Sequence, residues 1–245
     1  MEGRESVFRV EGLRKLFGKK AAVADVSFSL KSGEVVGLLG PNGAGKTTVF
    51  YMLVGFIRCT GGRIFLDDQD ITALPMHRRA RKGISYLPQE ASIFRKLTVE
   101  KNVTAVLETR RDLNRKERAQ KLEELLTGLG IEGLRRQPAY TLSGGERRKA
   151  EIARALAINP KFLLLDEPFS GIDPIAVNEI KKIIQNLSSQ GISILVTDHN
   201  VRDTLEITHR SYIINHGEIQ ASGALQDLLN NELAKQIYLG QDFRM

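Results

Sequence analysis

One glycine-rich stretch constrains the fold of this chain more than any other feature. It matches the phosphate-binding loop pattern G-x-x-x-x-G-K-[ST] with the residues Gly40-Pro41-Asn42-Gly43-Ala44-Gly45-Lys46-Thr47. The apolar run Val35–Leu39 before it predicts a short buried strand, and the apolar run over residues 48–55 after it predicts a buried helix. A strand, a glycine-rich loop and a helix in this order are the context that the motif requires. The stretch therefore favours an α/β domain that binds a nucleotide over a simple glycine-rich turn.

The residue types of this loop suit a bound triphosphate. Glycines let the backbone curl so that successive N–H groups point inward, and the following helix adds the positive end of its dipole. Lys46 can reach the β- and γ-phosphates, and Thr47 can place its hydroxyl on Mg²⁺. The sequence therefore predicts a nucleoside triphosphate and a magnesium ion at this loop.

Composition limits the class of protein. With 245 residues, of which 42% are hydrophobic, the chain can bury the core of one α/β domain with an insertion, and a disordered chain is excluded. Because Cys59 is the only cysteine, no intrachain disulfide can form, and we expect a reducing compartment. The start of the chain is polar, without a signal-peptide core, and no apolar run approaches the ~20 residues that span a bilayer. We therefore expect any membrane association to be peripheral.

Basic clusters contribute to the net charge of +7. They are Arg78-Arg79, Arg81-Lys82, Arg110-Arg111, Arg115-Lys116 and Arg147-Arg148-Lys149. Contact with nucleic acid or with anionic lipid is one interpretation. We favour solvated helix faces, because no aromatic residues alternate with the basic ones as a base-stacking surface requires.

The remaining pattern predicts a sheet domain with a helical insertion. Antiparallel strands are expected at 8–10 and 23–30, and further strands at 63–67, 84–87, 162–165 and 192–196, with a closing hairpin around 216–217. Between residues 90 and 157 the pattern becomes helical, with Asn114 and Glu117 as one capping pair and Ser143 and Glu146 as another. We therefore expect a core lobe of residues 1–89 and 158–245 and a helical lobe of residues 90–157.

Side chains with useful chemistry follow three of the expected strands. Asp166 and Glu167 directly follow the apolar run at 162–165, where Asp166 can hold Mg²⁺ and Glu167 can polarise an attacking water. His199 follows the next strand, and Gln89 follows an earlier one. The residues alone leave alternatives open: Gln89 also fits a solvated loop amide, His199 a structural histidine, and Phe17 core packing rather than adenine stacking.

The segment Leu142-Ser143-Gly144-Gly145-Glu146 carries a second glycine signal. Ser143 and Glu146 are spaced as a capping box, which by itself needs no glycine. Gly144 and Gly145 would leave the helix start bare, so that an anion could approach the free N–H groups.

In this order the motifs resemble the ATP-binding subunits of ABC transporters, over essentially the whole chain. The resemblance implies a single domain over residues 1–245 with the ABC-type P-loop NTPase fold, which has a RecA-like mixed sheet, an N-terminal antiparallel β element and an inserted helical lobe. It implies catalysis by Glu167 and His199 and binding of Mg²⁺ by Thr47, Gln89 and Asp166. It implies ATP binding by Phe17, Gly40, Pro41, Asn42, Gly43, Ala44, Gly45, Lys46, Thr47, Thr48 and Gln89.

The same resemblance implies that one copy does not complete a site. The family signature, here Ser143, Gly144, Gly145 and Glu146, covers the ATP held by a second copy, in a head-to-tail homodimer. Two integral membrane subunits are contacted through the region after Gln89, which places the chain peripherally at the cytoplasmic side of a membrane, and no nucleic acid is expected. The signature ends in Glu146 where glutamine is commoner in the family.

Four stretches resemble one subgroup, the ATP-binding subunits of lipopolysaccharide exporters in the bacterial inner membrane. They are residues 86–95 with the sequence Tyr86-Leu87-Pro88-Gln89-Glu90-Ala91-Ser92-Ile93-Phe94-Arg95, residues 166–169, residues 197–200, and the ending Tyr238-Leu239-Gly240 with Asp242-Phe243-Arg244. The glutamate-ended signature keeps the ATPase of a branched-chain amino-acid importer as an alternative. A soluble ABC-type ATPase that acts on nucleic acid is another.

Overall fold

The computed structural model describes residues 6–239. Its strands are β1 Val7–Phe17, β2 Lys20–Lys31, β3 Val35–Leu39, β4 Gly61–Leu66, β5 Gln69–Asp70, β6 Ile84–Leu87, β7 Phe162–Asp166, β8 Ser193–Thr197, β9 Arg210–Asn215 and β10 Glu218–Gly223. Its α-helices are α1 Lys46–Val54, α2 Met76–Arg81, α3 Val99–Leu107, α4 Arg115–Gly128, α5 Gly144–Leu156, α6 Pro174–Ser189, α7 Val201–Ile207, α8 Leu225–Leu229 and α9 Glu232–Ala234. None of the helices within residues 6–239 has the length and apolar character that crossing a membrane requires.

The strands form a single mixed sheet in the order β5-β4-β1-β2-β10-β9-β3-β8-β7-β6. Strands β9, β3, β8, β7 and β6 run parallel to one another. Every residue of β3, β7 and β8 is buried, as expected for parallel strands that are covered on both faces. Strands β1, β2, β4 and β5 pair antiparallel, which confirms the expected N-terminal β element with strands longer than the apolar runs alone had indicated.

Both expected capping boxes are present. Asn114 begins α4 and Ser143 begins α5, and in each case the side chain of the glutamate three residues later accepts from the backbone N–H of the cap. The leucines of α4 belong to one hydrophobic cluster with residues of α3, α5 and strands β6, β7 and β8, and α4 contacts α3 and α5 directly. The division into lobes at residues 90 and 157 stays a prediction. The ending that includes Asp242-Phe243-Arg244 lies outside the described residues.

Two helices differ from the expectation. The helix after the phosphate-binding loop begins at Lys46 rather than at residue 48, which places the Lys46 backbone in its first turn. Helix α7 had no prediction, although Asn200 caps it by accepting from the backbone N–H of Asp203. An Asn three residues before an Asp is a recognisable helix start, but seven residues carry too little periodicity to indicate a helix without it.

The interpretation of the basic clusters as solvated helix faces is wrong for Arg79, which is buried. Its side chain is 3% exposed, and it donates to the backbone oxygens of Met52, Leu53, Leu74 and Thr72. Two of these carbonyls, those of Met52 and Leu53, lie in the last turn of α1, where the acceptors have no i+4 partner within the helix, although Met52 also accepts from the Gly55 N–H. Arg79 therefore joins α2 to α1 inside the fold.

Candidate active site

The carboxyl ends of four parallel strands bring the candidate residues to one edge of the sheet. Strand β8 lies between β3 and β7, and β6 lies on the far side of β7, with Asp166 opposite Thr197 and Leu87 opposite Leu165. The phosphate-binding loop follows β3, His199 follows β8, the two acids end β7, and Gln89 follows β6. The parallel strands thus bring these four segments to a single edge of the sheet.

The backbone of the phosphate-binding loop approaches other segments so closely that two of its positions have no room for a side chain. A Cβ on Gly40 would lie 2.1 Å from the backbone oxygen of Ile214, and one on Gly45, where φ is +109°, would lie 2.6 Å from the backbone oxygen of Ala22. The Lys46 ammonium is buried and donates to the backbone oxygens of Gly40 at 2.7 Å and Pro41 at 3.0 Å. Burial lowers the pKa of Lys46, and the carboxylates of Glu167 and Asp166 oppose that shift. The loop thus holds a cation over its own backbone.

A cleft of about 450 Å³ opens beside this loop. It is lined by Lys20, Ala21, Ala22, Asn42, Gly43, Gly45, Lys46, Thr47, Thr48, Glu167, His199 and His216. The cleft therefore unites most of the loop residues with the two candidate catalytic residues. Beside His216, the backbone of Gly217 joins the turn after β9 to the phosphate-binding loop and to β2, since its N–H donates to the backbone oxygen of Ala44 and its carbonyl accepts from the N–H of Ala24.

Several predicted site residues stand outside this cleft. Gln89 is exposed beyond β6, and Phe17, at the end of β1, is 55% exposed with the Lys15 ammonium 5.0 Å from its ring. The core-packing interpretation of Phe17 is therefore wrong. The signature residues 143–146 do not line the cleft either, as a site completed by a second copy would require.

Asp166 and Glu167 present buried oxygens without a partner. Asp166 Oδ2 accepts from the Tyr86 hydroxyl at 3.1 Å, but Oδ1 has no partner, and burial raises the pKa of Asp166. Glu167 Oε1 lies 2.6 Å from Nε2 of His199, and Glu167 Oε2 has no partner. Unsatisfied buried oxygens are unusual in a folded chain, and two acceptors side by side fit a site that binds a cation or a donor group.

Carboxylate oxygens of this kind suit Mg²⁺, which binds oxygen ligands and usually takes one or two carboxylates together with phosphates and waters. Within residues 6–239 no group of three or more His, Cys, Asp or Glu side chains could enclose a metal ion without other ligands. The two carboxylates therefore fit a magnesium ion that takes its other ligands from phosphates and waters.

The backbone of Glu167 has an uncommon conformation. Its φ of +48° lies in the left-handed region, which costs a residue other than glycine of order 1–3 kcal/mol. The Glu167 N–H donates to the backbone oxygen of Thr197, which ties this residue to the end of β8. Asp198, whose pKa burial raises, accepts from the N–H groups of Phe169 and Asn200. The segments after β7 and β8 are thereby held together around the two candidate catalytic side chains.

The signature glycines have a packing role that the sequence did not reveal. A Cβ on Gly145 would lie 2.6 Å from the Cβ of Ala176 on α6, and one on Gly144 would lie 3.0 Å from the backbone oxygen of Gly171. Glu146 accepts from the Ser143 N–H, and this hydrogen bond lowers the pKa of Glu146. The unusual glutamate of the signature therefore completes the capping box of α5.

Sequence reasoning missed Arg148 and Glu151 on the same helix. Arg148 is 5% exposed and Glu151 is 2% exposed, so the solvated-face interpretation is also wrong for Arg148. A usable signal existed: Arg148 lies three residues after Gly145 and four before Ile152, and this spacing puts all three on one helix face. Both flanking residues are buried.

Comparison with known proteins places this architecture in a family. The model of the ABC transporter family matches residues 23–170. The lipopolysaccharide export system ATP-binding protein LptB of Haemophilus influenzae is 53% identical over 98% of this chain and 100% of its own length. The protein of the same name from Escherichia coli strain K12 is 54% identical over 96% of this chain and 98% of its own length.

A solved structure agrees with these matches. The ADP conformation of an ATP-binding cassette of an ABC transporter superposes with a TM-score of 0.85 at 28% identity, over 96% of this chain and 99% of that one. The mixed sheet with its antiparallel element and helices is thus the cassette fold. This chain belongs to the ABC transporter family, as one of its ATP-binding, ATP-hydrolysing subunits.

Proposed function

We propose that this chain is the subunit whose ATP hydrolysis powers extraction of lipopolysaccharide from the inner membrane and its export toward the outer membrane. The observation that carries the hydrolytic part is the cleft that unites Lys46, Glu167 and His199 beside the unsatisfied Asp166 oxygen. The cargo is supported by relatives that bear the lipopolysaccharide export name and match the chain over nearly its whole length. The branched-chain amino-acid importer and the soluble nucleic-acid ATPase have no comparable support.

In the proposed reaction, Lys46 binds the β- and γ-phosphates in place of the backbone oxygens of its own loop. Mg²⁺, held by Asp166, Thr47 and Gln89 together with the phosphates, would neutralise charge on the transferred phosphoryl group. Glu167 orients a water and accepts its proton as the water oxygen bonds to the γ-phosphorus and the bond to ADP breaks. His199, 2.6 Å from Glu167, orients that carboxylate and can then reach the γ-phosphate.

The proposed active assembly contains two copies arranged head to tail. The cleft is lined by the phosphate-binding loop but by none of the signature residues of the same chain, whereas Ser143 at the start of α5 is exposed. A second copy could place the N-terminus of its α5 over the γ-phosphate, where the helix dipole favours an anion. ATP would then join the two copies, and hydrolysis would release them.

The proposed contact with two membrane subunits involves the segment after Gln89. Phe94 is 54% exposed, and the Arg154 guanidinium lies 5.2 Å from its ring centroid. An exposed aromatic residue beside arginines suits an amphipathic partner segment that carries acidic groups. Such a contact would place the chain peripherally, at the cytoplasmic side of the inner membrane.

Removal of the proposed base tests the hydrolytic role. Glu167→Gln should abolish ATP turnover and retain ATP binding, because the amide keeps the shape of the side chain and cannot accept the proton. Glu232→Gln, the same change at an exposed residue of α9, is the control and should retain turnover. Turnover unchanged by Glu167→Gln would refute this assignment of the base.

Affinity capture tests the cargo. The Glu167→Gln chain, loaded with ATP, is used to capture partners from detergent-solubilised native membranes, which are identified by mass spectrometry. Recovery of the two integral subunits of a lipopolysaccharide exporter is expected. Recovery of an amino-acid permease would keep the residue roles and overturn the cargo, and recovery of no membrane protein would favour the soluble class.

A further inference from the structure

The helix that begins at the signature contains a buried ion pair with unusual reach. The Arg148 guanidinium and the Glu151 carboxylate meet at 3.2 Å, one turn apart on α5. Both side chains are almost fully buried, and each makes most of its hydrogen bonds to backbone atoms of other segments. Buried charges are costly unless their hydrogen bonds are satisfied, so the set of partners is informative.

The arginine holds the end of strand β7. Its Nη2 donates to the backbone oxygens of Asp166 and Glu167, each at 3.1 Å, and its Nε donates to that of Pro168 at 3.2 Å. Glu167 is the residue with the left-handed backbone. The Glu167 backbone is therefore bound on both sides: its carbonyl accepts from Arg148, and its N–H donates to the backbone oxygen of Thr197.

The other side of the pair holds the segment around Gln89. Arg148 Nη1 donates to the backbone oxygen of Pro88 at 2.9 Å. Glu151 Oε1 accepts from the N–H groups of Ser92 at 2.8 Å and Ile93 at 3.3 Å. The segment 88–93 carries no helix or strand of its own, so these three bonds fix its backbone to α5.

We propose that the Arg148–Glu151 pair is a positioning device that links the backbone of the catalytic carboxylates to the loop that faces the membrane partners. It rests on the proposed hydrolytic function of Glu167, and it adds a physical route between that residue and the loop after Gln89. A shift of the Glu167 backbone when ATP is bound or hydrolysed moves the guanidinium, and the shared carboxylate passes the displacement to Ser92 and Ile93.

Two substitutions weaken the link without emptying the site. Arg148→Lys keeps the charge but cannot reach five acceptors, because an ammonium is a single point on a flexible stem. Glu151→Gln keeps the shape of the side chain, but one carboxylate oxygen becomes an N–H₂ group. That group cannot accept a hydrogen bond, either from Arg148 or from the N–H groups of Ser92 and Ile93. Arg79→Lys is the matched control, since Arg79 is equally buried and bonds only backbone carbonyls, none of them in the site or in segment 88–93.

The first measurement is hydrogen exchange of the backbone amides in residues 88–95, in the Glu167→Gln chain with and without MgATP. We expect ATP to change exchange at Ser92 and Ile93, and we expect Arg148→Lys or Glu151→Gln to abolish this change while Arg79→Lys retains it. ATP affinity is measured in parallel. A change that persists in both pair variants, or that is absent from the parent chain while ATP is bound, would overturn the proposal.

The second measurement separates positioning from general destabilisation. In the otherwise native chain, Arg148→Lys and Glu151→Gln should lower kcat by about 10- to 100-fold, because the base is misplaced, with KM for ATP within about twofold. Arg79→Lys should leave kcat unchanged even where it lowers the melting temperature equally. Equal loss of kcat in all three variants would overturn the proposal. Failure of the proposed function is distinguishable, since the unmodified chain would then show no ATP hydrolysis.

Discussion

The close approach of α5 to α6 at Gly145 makes a quantitative prediction. A methyl group added by Gly145→Ala would stand 2.6 Å from the Cβ of Ala176, whereas carbon atoms pack best at about 3.5–4.0 Å. The two helices must therefore separate locally by roughly 1 Å. Overpacking of this kind costs about 1–3 kcal/mol, of which up to about 1 kcal/mol is offset by the better helix propensity of alanine.

At the midpoints of these ranges the net loss in the free energy of unfolding is about 1.5 kcal/mol. For a domain of this size it corresponds to a fall in melting temperature of about 3–6 °C. Thermal unfolding without nucleotide measures it. Gly128→Ala, at the exposed end of α4 where an added Cβ meets nothing within 4 Å, is the control and should be neutral or stabilising.

A double-mutant cycle identifies the cause. Ala176→Gly removes the opposing methyl group, so the double variant should recover stability, with a coupling energy of about 1–2 kcal/mol. ATP hydrolysis should fall in Gly145→Ala and recover with the second change, because α5 returns to its place. Additive effects of the two changes, or a Gly145→Ala chain as stable as Gly128→Ala, would refute the packing argument.

Three further predictions concern charged groups of the fold and the site. Lys46→Ala should weaken ATP binding by about 10- to 150-fold, as expected for loss of charge-assisted hydrogen bonds, and wild-type affinity in a nucleotide titration would contradict the loop assignment. Without nucleotide, Asp166→Asn should raise the free energy of unfolding at pH 7 by about 1 kcal/mol, because burial raises the pKa of this carboxyl and disfavours its ionised form. The same variant should hydrolyse MgATP more slowly. An unchanged or lower stability in thermal unfolding would contradict the first expectation. Burial alone would raise the pKa of Glu34, but hydrogen bonds from Arg210 and the Lys31 N–H lower it overall. The ionised Glu34 therefore stabilises the fold above its ordinary pKa of 4.5, and this stabilisation is lost as pH falls through the lower pKa of the folded state. Denaturant unfolding across that pH range should show that the free energy of unfolding falls less steeply with falling pH in Glu34→Gln than in the native chain. Identical pH dependence in the two chains would contradict this.

Local chemistry made much of the site predictable. The phosphate-binding loop needs particular residues at fixed spacing, and apolar runs of strand length mark the strands around it. Since parallel strands share the direction of their carboxyl ends, acids and a histidine that follow such runs must meet at one edge. The capping pairs were equally predictable, because a cap and its partner lie within four residues.

The misjudged residues share one property, which is that their environment is built by distant segments. Arg79 and Arg148 lie in basic clusters of the sequence, for which we predicted solvated helix faces. Only the packed fold shows that backbone carbonyls surround their guanidinium groups. Phe17, which the residues alone left open between core packing and adenine stacking, ends β1 at an exposed position. For the six-residue α2, which carries Arg79, the sequence does not state which side faces the core. On the longer α5, the spacing of Arg148 from Gly145 and Ile152 indicates the buried side.

The amino-acid sequence by itself determined the fold class, the nucleotide loop and the order of the segments that carry the chemistry, because these depend on residues close together in the chain. Tertiary structure decided the contacts between segments: His199 against Glu167, Gly145 against Ala176, and the Arg148–Glu151 pair between β7 and segment 88–93. Such contacts join residues up to tens of positions apart, and their distances are set by how the whole core packs rather than by any local pattern.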